Sequence, residues 1–163
     1  MNAAPTVLHA TAIAHWRAGS WRAVLLRGPS GAGKSDLALR LLGAGWRLVA
    51  DDRVIAWSSG GRLYARAPAR LAGLIEARGL GVAPVGALDW AQAILAVDLV
   101  AGPEALERIP EPARTRIEGV DLPLVGLVAH EDSAMAKLLL ALEAATLGAR
   151  QEPAYQVRSA DEA

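Results

Sequence analysis

The sequence predicts an α/β fold built on a mixed β-sheet with few helices, and three observations lead to this prediction. Short apolar runs at residues 22–27, 46–50 and 93–100 have the length and composition of buried strands. Two segments, residues 34–42 and 133–147, repeat apolar side chains at helical spacing. A glycine-rich loop joins the first of these strands to the first helix, so the sheet contains a strand–loop–helix unit.

The other segments predict hairpins and loops. Residues 7–14 alternate weakly and predict a strand, and residues 15–20 predict the turn that follows it. Residues 53–57 and 62–66 flank Ser58-Ser59-Gly60-Gly61, which favours a hairpin. The weaker predictions are loops at 68–84 and 102–112, strands at 114–117 and 124–128, and a frayed polar tail at 149–163.

Composition limits the function classes. The 163 residues suit a single domain, residues 1–163, and 53% of them are apolar, which is enough for a core although the chain has no Phe. The formal net charge is zero, which argues against a broad nucleic-acid interface. The absence of Cys excludes disulfides and thiol nucleophiles. We see no signal peptide and no apolar run near the roughly 20 residues of a membrane helix, so we expect a cytoplasmic protein without nucleic-acid or membrane partners.

The loop between the first strand and the first helix has the pattern G-x-x-x-x-G-K-S. Its glycines let the backbone wrap with N–H groups pointing inward, and these amides form an anion-binding nest with the helix N-terminus. The lysine adds positive charge for the β- and γ-phosphates, and the serine hydroxyl can bind Mg²⁺. The pattern therefore makes the fold a P-loop fold and predicts that ATP with Mg²⁺ is bound by Gly28, Pro29, Ser30, Gly31, Ala32, Gly33, Lys34 and Ser35.

Two acidic positions could complete such a site. Asp51 and Asp52 end the strand that returns directly from the first helix, so that strand could bring both carboxylates to the phosphate end of the sheet. Asp98 ends the apolar run that begins at residue 93, which is the pattern of ordinary P-loop NTPases. The spacing alone leaves both positions open.

Three segments in the same order resemble the HPr kinase/phosphorylase family. The P-loop followed at short range by residues 45–54 is one, and residues 74–82 are similar to the signature segment of that family. His9-Ala10-Thr11 resembles the histidine segment ahead of its P-loop strand. The resemblance implies an ATP-dependent serine kinase acting on HPr, the phosphocarrier of the sugar phosphotransferase system. It also implies a fold related to the nucleotide domain of phosphoenolpyruvate carboxykinases.

The resemblance further implies roles for single residues. Lys34 would bind phosphate, and Ser35 and Glu76 would bind Mg²⁺. Asp51 would accept the proton of the acceptor serine, and Asp52 could share this role with it. These roles agree with the needs of phosphoryl transfer, which are positioning, metal charge and a carboxylate near the attacking hydroxyl.

The same resemblance bears on the surroundings of the site. His9 would lie near the carboxylate pair and tune it, and Arg78 would orient Glu76 or meet the transferred phosphoryl group. The family carries an arginine-bearing segment that supports phosphorolysis, whereas residues 122–131 contain no Arg. We therefore expect any phosphorylase activity to be affected more than kinase activity. The family also implies a homo-oligomer, often a ring of six subunits. His15 and His130 are expected to be solvated loop residues.

Two other functions remain open at this level. An ordinary P-loop kinase of small molecules or nucleotides would use Asp98 as its second metal-binding residue and would need a lid, for which residues 108–116 are the candidate. A non-catalytic ATP sensor would bind nucleotide without turnover. The pair Asp51 and Asp52 argues against a sensor, because a sensor needs no proton acceptor there.

Overall fold

A computed structural model describes residues 4–148 of the chain. Its strands and helices, in chain order, are β1 (Thr6–Leu8), β2 (Ala10–Arg17), β3 (Ser20–Arg27), α1 (Lys34–Leu42), β4 (Arg47–Ala50), β5 (Val54–Ser59), β6 (Arg62–Arg66), β7 (Leu74–Ala77), β8 (Gly81–Pro84), β9 (Ala91–Leu99), β10 (Ala113–Ile117), β11 (Val120–Leu127) and α2 (Ala134–Leu147).

Nine of the strands form one mixed sheet around β9. The main order is β1-β5-β6-β9-β3-β2-β4, and β11 adds to β9 with β10 beyond it. On one edge, β9 pairs along its length with the parallel strand β3. On the other edge, its first half pairs with the antiparallel strand β6 and its second half with the parallel strand β11. Strands β7 and β8 form a separate two-stranded hairpin. The predicted mixed sheet with few helices is confirmed.

The parallel strands set the position of the P-loop. Because β3, β9 and β11 run in the same direction, their carboxyl ends meet at one edge of the sheet. The loop after β3 opens into α1 at this edge, and the segments after β9 and β11 lie beside it. Ligands of α/β sheets bind outside the carboxyl ends of the strands, so this edge is the expected place for a site.

Two hydrophobic clusters hold the sheet. Both helices pack on one face, where α1 contributes Leu37 and Leu41 and α2 contributes Leu138 and Leu142. The second cluster lies on the other side and is rich in alanine, with Ala10, Ala12, Ala14, Ala23, Ala56, Ala65, Ala91 and Ala93 among its buried members. Such small side chains let the inner face of a curled sheet pack closely on itself, so this part of the core is filled without large aromatic residues.

Several local predictions are corrected by the structure. The strand predicted at residues 7–14 is two strands, because the chain breaks at His9 and β1 and β2 pair with different neighbours. The turn predicted at 15–20 is only Ala18-Gly19, since Trp16 and Trp21 face each other in the β2–β3 hairpin with ring centroids 5.7 Å apart. His15 lies in β2 rather than in a loop, and it is half-buried against the ring of Trp46, with 4.9 Å between the two ring centroids.

Loop predictions differ in outcome. The region 68–84 contains the β7–β8 hairpin, because its glycines serve tight turns rather than open coil. Residues 102–112 are largely exposed with one short 3-10 turn, as predicted. Strand β11 begins four residues earlier than the prediction of 124–128, and His130 is exposed as expected. No helix within residues 4–148 is long and apolar enough to cross a membrane. The frayed tail predicted at 149–163 lies outside the described residues.

Candidate functional site

The P-loop is formed where β3 passes into α1. Helix α1 begins at Lys34, and its first backbone hydrogen bond runs from the amide of Leu37 to the carbonyl of Gly33 at 2.9 Å. The amides of the first helical turn therefore have no partner inside the helix. Together with the positive end of the helix dipole, these amides have the arrangement that binds anions at helix N-termini.

Two glycines of this loop are required by close contacts. Gly33 has φ +97°, and a Cβ added there would lie 3.0 Å from the Cβ of Ala129. Gly28 has φ +152°, and its added Cβ would meet Ala32 at 3.0 Å and the carbonyl of Leu99 at 3.2 Å. The end of β9 and the segment after β11 thus lie directly against the loop and leave no room for side chains at these two positions.

Lys34 holds the loop from inside. Its side chain is 7% exposed, and Nζ donates to the carbonyls of Gly28 at 2.6 Å and Pro29 at 3.0 Å. An ammonium group has three donors, so these bonds leave one direction for a phosphate oxygen. The lysine is therefore positioned both to stabilise the loop and to meet a nucleotide phosphate.

Asp51 is the best-anchored carboxylate of the site. It is 6% exposed and accepts hydrogen bonds on Oδ1 from Thr11 Oγ1 at 2.9 Å and from Ser35 Oγ at 2.8 Å. Its Oδ2 accepts from the backbone N–H of Glu76 at 3.0 Å. The antiparallel pairing of Ala12 with Ala50 explains why Thr11 and Asp51 are neighbours. Three donors compensate the burial of this charge.

Asp52 faces an open cavity beside the P-loop. Its side chain is 59% exposed, and Oδ1 lies 3.1 Å from His9 Nε2. The pairing of Leu8 with Val54 brings the two residues together, because His9 follows β1 and Asp52 precedes β5. The cavity, about 440 Å³, is lined by Val7, His9, Ser30, Asp52 and Arg53.

The residues fit a magnesium ion that is bound with a nucleotide. Ser35 donates its hydroxyl hydrogen to Asp51, so the lone pairs of Oγ stay available to a cation. The side chain of Glu76 is exposed, while its backbone amide touches Asp51. Within the described part of the chain no group of three or more His, Asp or Glu side chains could hold a metal. A P-loop magnesium takes one hydroxyl from the protein and completes its shell with phosphate oxygens and water.

The remaining candidates lie in different places. Arg78 is exposed just beyond β7, on the same hairpin as Glu76. Asp98 is held by Arg27, with Nε to Oδ1 at 2.8 Å and Nη2 to Oδ2 at 3.2 Å. Because both of its oxygens bind this guanidinium, Asp98 is poorly placed as a metal ligand, which disfavours the ordinary P-loop kinase.

Sequence reasoning gave no role to two residues of the site, Thr11 and Arg53. Thr11 is the last residue of the segment His9-Ala10-Thr11, and Arg53 directly follows the aspartate pair. Nothing in their spacing marks them, since a Thr in a strand and an Arg after a turn are common. Only the pairing of β2 with β4, and the turn before β5, place them at the carboxylates.

Comparison with known proteins agrees with this geometry. Residues 3–101 match the family model described as HPr Serine kinase C-terminal domain, which is more than half of the chain. The chain belongs to this family. The predicted resemblance is thereby confirmed, and the family match covers the P-loop, the aspartate pair and the β7–β8 hairpin.

Several curated relatives carry the name HPr kinase/phosphorylase. The family member from Clostridium tetani is 39% identical over 77 residues, which are 47% of this chain and 25% of that protein. The one from Clostridium beijerinckii is 45% identical over 65 residues, 40% of this chain and 22% of that protein. The one from Brevibacillus brevis is 44% identical over 72 residues, which are 44% of this chain and 23% of that protein. The chain thus aligns with about a quarter of the length of these relatives.

A solved structure extends the likeness in fold. The structure titled as the Hpr(Ser) kinase/phosphatase from Coxiella burnetii matches 88% of this chain and 92% of its own, with a TM-score of 0.75 and 22% sequence identity. At that identity the match supports the fold alone. It nevertheless includes residues beyond 101, where the family model ends, so part of the β10–β11–α2 region belongs to the same fold.

Proposed function

We propose that this chain is an ATP- and Mg²⁺-dependent kinase that phosphorylates a serine of an HPr-type phosphocarrier protein. The observation that carries the proposal is the 2.8 Å hydrogen bond from Ser35 Oγ to Asp51 Oδ1. This contact joins the anion-binding loop to the strand that bears the carboxylate pair. Nucleotide phosphates bound in the loop would therefore lie beside two carboxylates, one buried and one open to a protein substrate.

The transfer requires one new bond and one proton acceptor. The serine oxygen attacks the γ-phosphorus of ATP, the bond to the β,γ-bridging oxygen breaks, and ADP leaves with that electron pair. The proton of the serine hydroxyl passes to a carboxylate, and the products are ADP and phosphoserine. When bound, Mg²⁺ supplies positive charge that neutralises the phosphate oxygens. Lys34 and the amides of the P-loop hold the phosphates in line for this attack.

We assign the proton acceptor to Asp52 and a supporting role to Asp51. Asp51 is 6% exposed and already accepts three hydrogen bonds, so a serine from another protein has little access to it. Asp52 is 59% exposed in the cavity that also contains the P-loop residue Ser30. The family resemblance implies Asp51 as the acceptor, with Asp52 able to share the role, whereas burial and hydrogen bonding favour Asp52.

The neighbours of the pair have matching roles in the proposal. His9 contacts Asp52 Oδ1 at 3.1 Å and would orient that carboxylate toward the acceptor hydroxyl. Glu76 would join Ser35 at the metal, since its backbone is tied to Asp51 at 3.0 Å. Arg78 would meet the transferred phosphoryl group from the β7–β8 hairpin. Asp51 would keep Ser35 turned toward the ion.

The names of the curated relatives support the acceptor that we propose, and the family resemblance supports the assembly. The curated relatives are named HPr kinase/phosphorylase, and HPr is therefore the acceptor we propose. Residues 122–131 contain no Arg, so we propose that phosphorolysis of phospho-HPr is weaker than phosphorylation. A ring of subunits is the assembly we propose, and native mass spectrometry would measure it.

The decisive experiment is incubation of the purified chain with ATP, Mg²⁺ and HPr, read by intact mass. We expect one added phosphoryl group on an HPr serine. Asp52→Asn should lower kcat by about 10²–10⁴-fold while ADP–Mg²⁺ affinity stays the same, because only a proton acceptor is removed. Asp51→Asn should weaken Mg-nucleotide binding as well as turnover. Asp121→Asn, on the exposed end of β11, serves as the matched control.

Two results would refute the proposal. Full activity of Asp52→Asn would remove the assignment of the proton acceptor. The absence of phosphoryl transfer to HPr by the unmodified chain, with tight ATP binding retained, would instead favour the nucleotide sensor.

A further inference from the structure

The cavity beside Asp52 contains one cationic side chain that the mechanism above does not use. Arg53 lines it together with the P-loop residue Ser30 and the His9–Asp52 pair. Its side chain is 48% exposed, so a small anion in the cavity can reach its guanidinium group. An arginine beside a phosphate-binding loop matches the bidentate geometry of a phosphate group.

The backbone at this point is fixed in an uncommon conformation. Asp52 has φ +66°, which is rare for a residue with a side chain, and the amide of Arg53 donates to the carbonyl of Asp51 at 2.7 Å. Non-glycine residues in this region cost of order 1 kcal/mol and persist where the surroundings demand them. The tight turn sends Asp52 and Arg53 to the same cavity before β5 begins.

The contact between Arg53 and Asp52 is loose. Nη1 lies 3.6 Å from Asp52 Oδ2 and 3.3 Å from the backbone carbonyl of the same residue. His9 holds the other oxygen of Asp52 more closely, at 3.1 Å. Arg53 therefore stands where an acceptor hydroxyl must approach the free carboxylate oxygen. Exposed ion pairs contribute little free energy, so an incoming phosphate can displace Asp52 as the partner of the Arg53 guanidinium group.

Other cations near this edge of the sheet have partners that hold them. Lys34 binds two loop carbonyls, and Arg27 is held by both oxygens of Asp98. Arg40 donates to the carbonyl of Ala129 and to Asp36 at 3.2 Å. Of these groups and Arg53, only the last faces the open cavity through a loose contact.

We propose that Arg53 is a further phosphate-binding residue of the active site, in addition to Lys34 and Arg78, and that it is specific for the phosphate that is not part of ADP. In the resting chain it screens Asp52, and during turnover it moves to the phosphoryl group carried by the acceptor serine. The same position would hold inorganic phosphate when ADP occupies the P-loop. This inference rests on the proposed kinase function, and its test uses binding rather than transfer.

The test measures the binding of inorganic phosphate to the full chain saturated with ADP and Mg²⁺, with a ³¹P NMR titration as the readout. We expect Arg53→Gln to weaken phosphate binding at least about tenfold, with ADP affinity unchanged, because a charge-assisted bidentate contact is lost. Arg53→Lys should restore part of the affinity, since it keeps the charge without the fork. Arg62→Gln, at the far end of the β5–β6 hairpin, is the matched control and should bind phosphate normally.

The outcomes separate the two proposals. Unchanged phosphate affinity in Arg53→Gln overturns the inference, whether or not the chain phosphorylates HPr. A loss in Arg78→Gln that is absent in Arg53→Gln overturns it as well and assigns the phosphate to the β7–β8 hairpin. Weakened phosphate binding in Arg53→Gln supports the inference even if HPr is not the acceptor. A circular-dichroism melt of each variant checks that the fold is intact.

Discussion

The hydrogen bond from Thr11 to Asp51 allows a test of how the buried carboxylate is held. Thr11 is fully buried, and its hydroxyl donates to Asp51 Oδ1 at 2.9 Å. Thr11→Val keeps the shape of the side chain but removes the donor. Asp51 would then keep only two of its three hydrogen bonds.

The expected magnitude follows from the charge of the acceptor. A hydrogen bond to an ionised group contributes about 1.5–3 kcal/mol, compared with about 0.5–1.5 kcal/mol for a neutral pair. Thr11→Val should therefore lower the free energy of unfolding by about 1.5–3 kcal/mol. For a chain of this size that lowers Tm by roughly 3–12 °C. In an Asp51→Asn background, the same substitution should lower it by about 1 kcal/mol less.

Urea denaturation of the wild type, both single variants and the double variant gives this coupling as a double-mutant cycle. Thr115→Val is the control, because Thr115 is half-buried and accepts only one bond from Arg27, at 3.2 Å. Arg27 is charged, but it keeps both of its bonds to Asp98 in this variant, and water reaches the half-buried position. We therefore expect that change to stay below about 1 kcal/mol. Equal losses for Thr11→Val with and without the Asp51 charge would refute the account of a charge held by this hydroxyl.

Two further predictions concern the edge of the sheet where β3 passes into the P-loop. Asp98→Asn should leave Mg-ADP affinity within about twofold, because Asp98 binds Arg27 and not the P-loop. Ser35→Ala should weaken that affinity at least about tenfold. If calorimetry gives the reverse order, the hypothesis of an ordinary P-loop kinase is favoured again. Gly33→Ala should abolish measurable ATP binding and lower the free energy of unfolding by about 1–2 kcal/mol. The reason is that Gly33 has φ +97° and that the added Cβ would lie 3.0 Å from the Cβ of Ala129. ATP binding at wild-type strength would contradict this prediction, because it would show that the loop can relax.

Local sequence signals sufficed for the P-loop, for both helices and for the β5–β6 hairpin. Glycine patterns, helical periodicity and turn residues act over a few positions, so the sequence records them directly. The same signals failed at residues 7–14 and 68–84. The glycines of 68–84 predict an open loop, but in the structure they serve tight turns of a hairpin. The break at His9 is visible only in the pairing of β1 with β5 and of β2 with β4.

The amino-acid sequence by itself determined that a loop with the P-loop pattern is followed closely by two carboxylates, because both are encoded in short runs of consecutive residues. The tertiary structure alone decided how those carboxylates differ. Strand pairing buries Asp51 under Thr11 and leaves Asp52 in an open cavity with His9, and it engages Asp98 with Arg27. Burial and hydrogen-bond partners depend on residues distant in the chain, and no local pattern can state which of two adjacent side chains receives them.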